Sequence, residues 1–488
     1  MKKNSLTMAV VAGIAGVAGF ASLANAIELN PDGLGQVLIY PYFTVNKGQD
    51  TLVSVVNTDA VNGKVVKVRF LEGYDSREVL DFNLFLSPND VWTGTVSEVG
   101  NGGGVKTDDR SCTFPKFTQG TYKGFLTYTF DGTINVKDGG PTDLTRTREG
   151  YLEMIQMADV PPNTDLFATT LHHAGVPECD TDLIGNSITG STEVVAPTGT
   201  LFGSGGIVNV HQGTFFGYNA DAIDGFFTEP HVTGSGDTRP SLQQYDNTVA
   251  YVFNNGALLS LDYGAYVDGA DAVSAVYQSD TIYNEYVTDS NIGATTDWVV
   301  TFPTKRFYVD PAYVGTAGPA IQPFNEVFDS ASNVEVKVTQ YDREEGTIVP
   351  QDCDPSNPTP GSDCDWSPSP PINVRPSSLP YEVNVISLLD ADADGAGETS
   401  GVLGSKLVFN IPPFASAGWI RMDMATGDGG SHVLRPAANG TQLRGLPATG
   451  FEVFNLINAD VSGGVLANYS GLFRHRASKS CATGTACS

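Results

Sequence analysis

The chain has 488 residues, with 55 acidic side chains against 27 basic ones and a formal net charge of −28. Such a surface repels nucleic acid and anionic lipid, which excludes both as general partners, while it suits solubility and can attract cations, calcium above all. With 54 Gly and 28 Pro, long helices are not expected.

Residues 1–26 read as a cleavable signal peptide. Lys2 and Lys3 form a basic start, Met8–Phe20 is uncharged and apolar, and Ala24-Asn25-Ala26 supplies a small-x-small cleavage pattern. Gly13, Gly16 and Gly19 interrupt the apolar run, which is too short to span a bilayer comfortably. No Cys lies near the cut to carry a lipid, and no later stretch reaches the ~18 apolar residues of a membrane span. The expected destination is the cell surface, the extracellular space or the periplasm, with no transmembrane segment in the mature chain.

After the signal, period-two alternation dominates. In 64–71, Val66, Val68 and Phe70 are expected to face a core, with Lys67 and Arg69 outward. In 334–339, Val334, Val336 and Val338 face in. Further strands are predicted at 36–45, 51–57, 78–86, 91–97, 150–158, 205–210, 297–302, 381–389, 406–411, 418–424 and 450–457, separated by Gly, Asn, Asp and Pro clusters. A helix is predicted at about 269–284, capped by Asp271, with Val273, Val276 and Tyr277 on one face. The fold class is therefore mainly β: two antiparallel, Ig-like β-sandwich domains with long loops and one short helical insertion. The expected divisions are a sandwich over 27–310, a second over 311–476, and a disulfide-closed polar tail at 477–488. The second sandwich carries a loop at 350–380 with nine prolines. An internal echo links 51–57, 64–78 and 82–96 to 297–305, 334–345 and 409–424, as duplication or a shared strand vocabulary would produce.

Six cysteines follow the signal: Cys112, Cys179, Cys353, Cys364, Cys481 and Cys487. An even count in an exported chain favours disulfides. Proximity suggests Cys353–Cys364 and Cys481–Cys487, leaving Cys112–Cys179. The absence of any C-x-x-C pair argues against zinc.

The sharpest chemical motif is Asp390-Ala-Asp392-Ala-Asp394-Gly395, which resembles the start of an EF-hand or dockerin calcium loop. Alternate carboxylates can converge on one hard cation, and the Gly permits a sharp turn. By that resemblance Asp390, Asp392 and Asp394 would supply side-chain oxygens, Ala396 a carbonyl, and Glu398 the ninth position. The twelfth position is Gly401, where the family has a bidentate Glu, and a strand rather than a helix precedes the loop. Leu446-Pro447-Ala448-Thr449-Gly450 matches a sortase signal, but the polar residues after it cannot span a membrane, so it is expected to be a turn entering a strand. His172 and His173 are expected to be structural, and His211, His231, His432 and His475 are isolated in sequence. Asp342, Glu344 and Glu345 are acids without a defined partner. No nucleophile elbow, H-E-x-x-H, phosphate loop or dinucleotide fingerprint occurs, so a non-enzymatic protein is expected, with a secreted hydrolase whose site is assembled from distant strands as the least favoured alternative.

Gly33–Val45, Tyr341–Glu345 and Tyr381–Ser387 resemble segments of exported, β-rich proteins of Gram-negative bacteria labelled as cell-surface proteins. The resemblance implies location and β-architecture and transfers no site residue. The expectation is a structural or adhesive protein of the cell surface or extracellular matrix. Its partners would be other surface components, glycans or itself. Self-assembly would run through Val37–Tyr42 as an exposed strand edge. The competing expectation is a calcium-dependent glycan- or ligand-binding module using the Asp390 loop.

Overall fold

A computed structural model describes residues 26–134, 138–266, 270–314, 320–344, 347–348, 377–389, 399–427, 430–458, 467–482 and 487. Residues 1–25 of the expected signal, most of the proline-rich segment (349–376) with Cys353 and Cys364, and the whole Asp390–Glu398 loop lie outside them.

Hydrophobic alternation produces strands, and the strands assemble into a mainly β, antiparallel protein. The first sheet has seven strands in the order Glu28–Leu29, Asp221–Asp224, Val37–Thr44, Glu149–Val160, Gly63–Glu72, Glu78–Leu86 and Cys112–Phe114. The second has six: Thr214–Asn219, Leu201–Asn209, Asp50–Asn57, Val91–Val99, Gly102–Lys106 and Lys123–Gly124. Phe82 of the first sheet meets Trp92 of the second at 5.7 Å, and the Tyr40 hydroxyl donates to the Ser54 carbonyl at 2.8 Å. These contacts place the inner faces of the two sheets together.

A third sheet joins Thr347–Ile348, Val334–Asp342, Ala417–Asp423, Thr281–Val287 and Arg476–Ser478, with Ser377–Leu379 also on the Val334–Asp342 strand. The fourth joins Val408–Asn410, Val383–Ser387, Ala294–Thr301, Thr449–Leu456 and Tyr469–Arg474, its first pair being parallel. The Trp298 indole donates across from the fourth sheet to the Glu285 carbonyl of the third at 3.2 Å. One buried apolar cluster runs through both pairs of sheets, and Tyr218 stacks on Phe451 across the junction at 5.3 Å. Residue 310 falls between two short helices, Arg306–Val309 and Pro311–Val314, while Thr281–Val287 and Ala294–Thr301 pair with strands from the C-terminal part of the chain.

Four expectations change. Val37–Thr44 is an interior strand, paired with Glu149–Val160 on one side and over Val37–Ile39 with Asp221–Asp224 on the other, and it is buried along its whole length, so it presents no exposed edge. Its unbroken apolar run is what a strand covered on both faces requires. Lys67 and Arg69 do point away from Val66, Val68 and Phe70, but they are buried as well. Lys67 pairs with Asp81 at 2.6 Å, and Arg69 with Glu78 at 2.7 Å and Glu153 at 2.8 Å, beneath the backbone around Gly234 and Pro240.

The predicted helix is only Asp271–Tyr277, and Thr281–Val287 continues as a strand. Its alternation of Ile282, Asn284 and Tyr286 inward with Glu285 outward overrides the helical period. Asp271 lies inside the helix and binds Arg435 and the Tyr308 hydroxyl rather than capping. The sequence echo is not repeated in strand order. Asp50–Asn57 pairs with Val91–Val99, but Ala294–Thr301 pairs with Val383–Ser387 and Thr449–Leu456, not with Ala417–Asp423.

Candidate ligand groove on the second sheet

The outer face of the second sheet is uncovered enough to form a groove of about 470 Å³. Strand register builds it row by row. One row runs Asn219, Ser204, Ser54, Thr93; the next runs Gly217, Gly206, Leu52, Thr95, Lys106. Side chains at alternate positions share a face, so the second row aligns five strands and spans about 19 Å at ~4.8 Å per strand.

Aromatic side chains mark the two ends. Phe215 is 54% exposed and Tyr122 42% exposed. The Phe215 ring lies over paired glycines: a Cβ at Gly206 would come within 2.6 Å of the ring, and one at Gly217 within 3.1 Å. Ser470 fixes the Phe215 backbone, accepting its N–H at 3.1 Å and donating to its carbonyl at 2.9 Å. At the other end the Tyr122 hydroxyl donates to Ser97 at 3.1 Å, and the Lys106 ammonium lies 5.8 Å from the ring centre.

Between these ends the lining is mostly small and polar. Thr107 donates to the Thr93 carbonyl at 2.6 Å, which holds the rim. The Thr93 and Thr95 hydroxyls make no hydrogen bond among the described residues. Lys106 and Asp108 supply the charge. Rings at the ends, unspent hydroxyls in the middle and a glycine floor suit recognition of a flat, hydroxyl-rich ligand.

The residues singled out in the sequence fall elsewhere. Cys112–Cys179 and Cys481–Cys487 are disulfide-bonded, with Cα separations of 5.4 Å and 5.7 Å. Cys353, Cys364, Asp390, Asp392, Asp394, Ala396 and Glu398 lie outside the described residues. Leu446 and Pro447 are buried and pair with Gln278–Ser279, and Thr449 donates to Asp221 at 2.6 Å. His432 is held between the carbonyls of Pro323 and Glu335, each 3.0 Å away. Burial pushes His475 down to about 4, and its Nε2 lies 2.9 Å from the Val299 carbonyl.

Folding brings Glu229, His231 and Asp246 together, a grouping sequence reasoning missed. Asp246 accepts backbone N–H bonds from Thr228 at 2.7 Å and Glu229 at 3.2 Å, and lies 2.7 Å from His231. Those bonds fasten the loop over the first sheet. The sole sequence signal was the Glu-Pro-His run at 229–231. Comparison of the chain with family models, curated proteins and solved structures finds no match.

Proposed function

We propose that the chain is an exported surface or matrix protein with an adhesive role, and that the groove on the second sheet holds a glycan. The observation that carries this reading is the register itself. Five aligned strands place Phe215 and Tyr122 at the ends of a hydroxyl-bearing trough long enough for a short oligosaccharide. Pyranose rings offer an apolar face to aromatics and equatorial hydroxyls to Ser and Thr, so one ligand class satisfies both features.

The two disulfides support an oxidising destination. Among the described residues no helix is long and apolar enough to cross a membrane. Self-assembly through the edge of Val37–Tyr42 is not proposed, because that strand is buried inside the first sheet.

The test is binding of the full chain to a panel of soluble polysaccharides by affinity electrophoresis. Retardation by at least one polysaccharide is expected, with Phe215→Ala and Tyr122→Ala each weakening it about tenfold through lost ring contact. Unchanged retardation in both variants would remove the groove from the account.

A further inference from the structure

We propose that the bound glycan is anionic, its carboxylate or sulfate groups held by Arg110 and Lys116 in a cleft adjoining the groove. This rests on the glycan-binding reading above and names its ligand class.

The cleft measures about 650 Å³ and shares Thr107 with the groove. It lies along the Cys112–Cys179 disulfide, between the strand start at Cys112 and residues 176–184. Its charged lining is Asp109, Arg110 and Lys116. Asp109 is committed to its own turn, accepting the Ser111 N–H at 2.8 Å and the Ser111 hydroxyl at 2.7 Å. Arg110 and Lys116 are exposed and make no ion pair or hydrogen bond among the described residues. The cleft therefore keeps two uncommitted cations beside hydroxyl and amide groups of Thr118 and Gln119.

These two differ from the buried and partly buried cations earlier and later in the same half of the chain. Lys64, Lys67, Arg69, Arg77 and Arg146 all face carboxylates at ion-pair distance. From Lys106 to Lys123 the chain carries Lys106, Arg110, Lys116 and Lys123, and none is in an ion pair among the described residues. The chain's net charge of −28 repels polyanions at long range. Screening cuts that repulsion off beyond about 8–10 Å at physiological salt, so at contact the local cations decide. Uronate carboxylates or sugar sulfates on a chain seated in the groove would reach those cations, whereas a neutral glycan would leave them unused.

The experiment is calorimetric titration of the full chain with uronate oligosaccharides of several backbones, each compared with its methyl ester at about 150 mM NaCl, where screening is physiological. The acid form should bind on the order of tenfold more tightly, the effect of two exposed charge-assisted contacts. The Arg110→Gln/Lys116→Gln double variant should lose that preference while retaining affinity for the ester and the parent's melting temperature. Phe215→Ala should weaken both forms together. Equal binding of acid and ester, or a preference that survives in the double variant, would overturn the inference and leave the groove reading standing. Binding of neither form would overturn the inference, while retardation by none of the polysaccharide panel would overturn the groove reading itself.

Discussion

Glu452→Gln should make the protein more stable near neutral pH. Glu452 lies in the Thr449–Leu456 strand, opposite Trp298 on one side and Phe473 on the other, and is 2% exposed. Its Oε2 has no hydrogen-bond partner among the described residues. Burial first, and the negative charge of Glu285 second, push its carboxyl from 4.5 up to about 8. At pH 7 the folded chain therefore holds this proton while the unfolded chain has released it. The folded pKa is the raised one, so the group's contribution is complete below about 4.5 and is lost progressively as pH rises through about 8. About 2.5 units of that interval lie below pH 7, which at about 1.36 kcal/mol per unit amounts to about 3 kcal/mol. The glutamine keeps the shape of the side chain and carries no charge. Urea unfolding followed by tryptophan fluorescence should give matching stabilities near pH 4.5 and a gap of about 3 kcal/mol in favour of the variant at pH 7. Parallel stability–pH curves for the two proteins would refute the reasoning, as would a variant weaker than the parent at pH 7.

Three further outcomes follow from buried or cross-linked groups and from the acidic loop. Arg146 is buried between Glu72 at 2.8 Å and Asp138 at 2.6 Å, so Arg146→Met should cost about 3–5 kcal/mol in urea unfolding by stranding two carboxylates. Cys112 and Cys179 are 67 residues apart, and replacing both with Ser should cost up to about 4 kcal/mol by releasing that loop in the unfolded chain; a melting temperature equal to the parent's would contradict this. If Asp390, Asp392 and Asp394 hold calcium, the ion should raise the parent's melting temperature and leave Asp392→Ala unmoved, and a parent that does not respond excludes the loop as a site.

Much of the β-architecture was legible because alternation is a local signal. Gly63–Glu72, Glu78–Leu86 and Val334–Asp342 closely follow the apolar periods seen in the chain. What covers a strand is not local. Val37–Thr44 showed a strand but hid its neighbours, and the Lys67 and Arg69 face showed charge but hid the loop above it. The groove was harder still. The strand predicted at 205–210 starts too late, because Gly203 and Ser204 also sit inside the Leu201–Asn209 strand. Gly203 makes room for Tyr40, Gly205 for Tyr218 and Gly206 for Phe215, and such partnerships exist only after the strands have paired. Ser54, Thr93 and Thr95 likewise gain meaning only from the register that aligns them.

Hydrogen–deuterium exchange with and without a retained polysaccharide tests the central claim most directly. Protection over 52–54, 93–95, 106–108 and 204–206, reduced in Phe215→Ala, is the predicted result. Protection elsewhere with these strands unchanged would contradict a glycan seated on the second sheet.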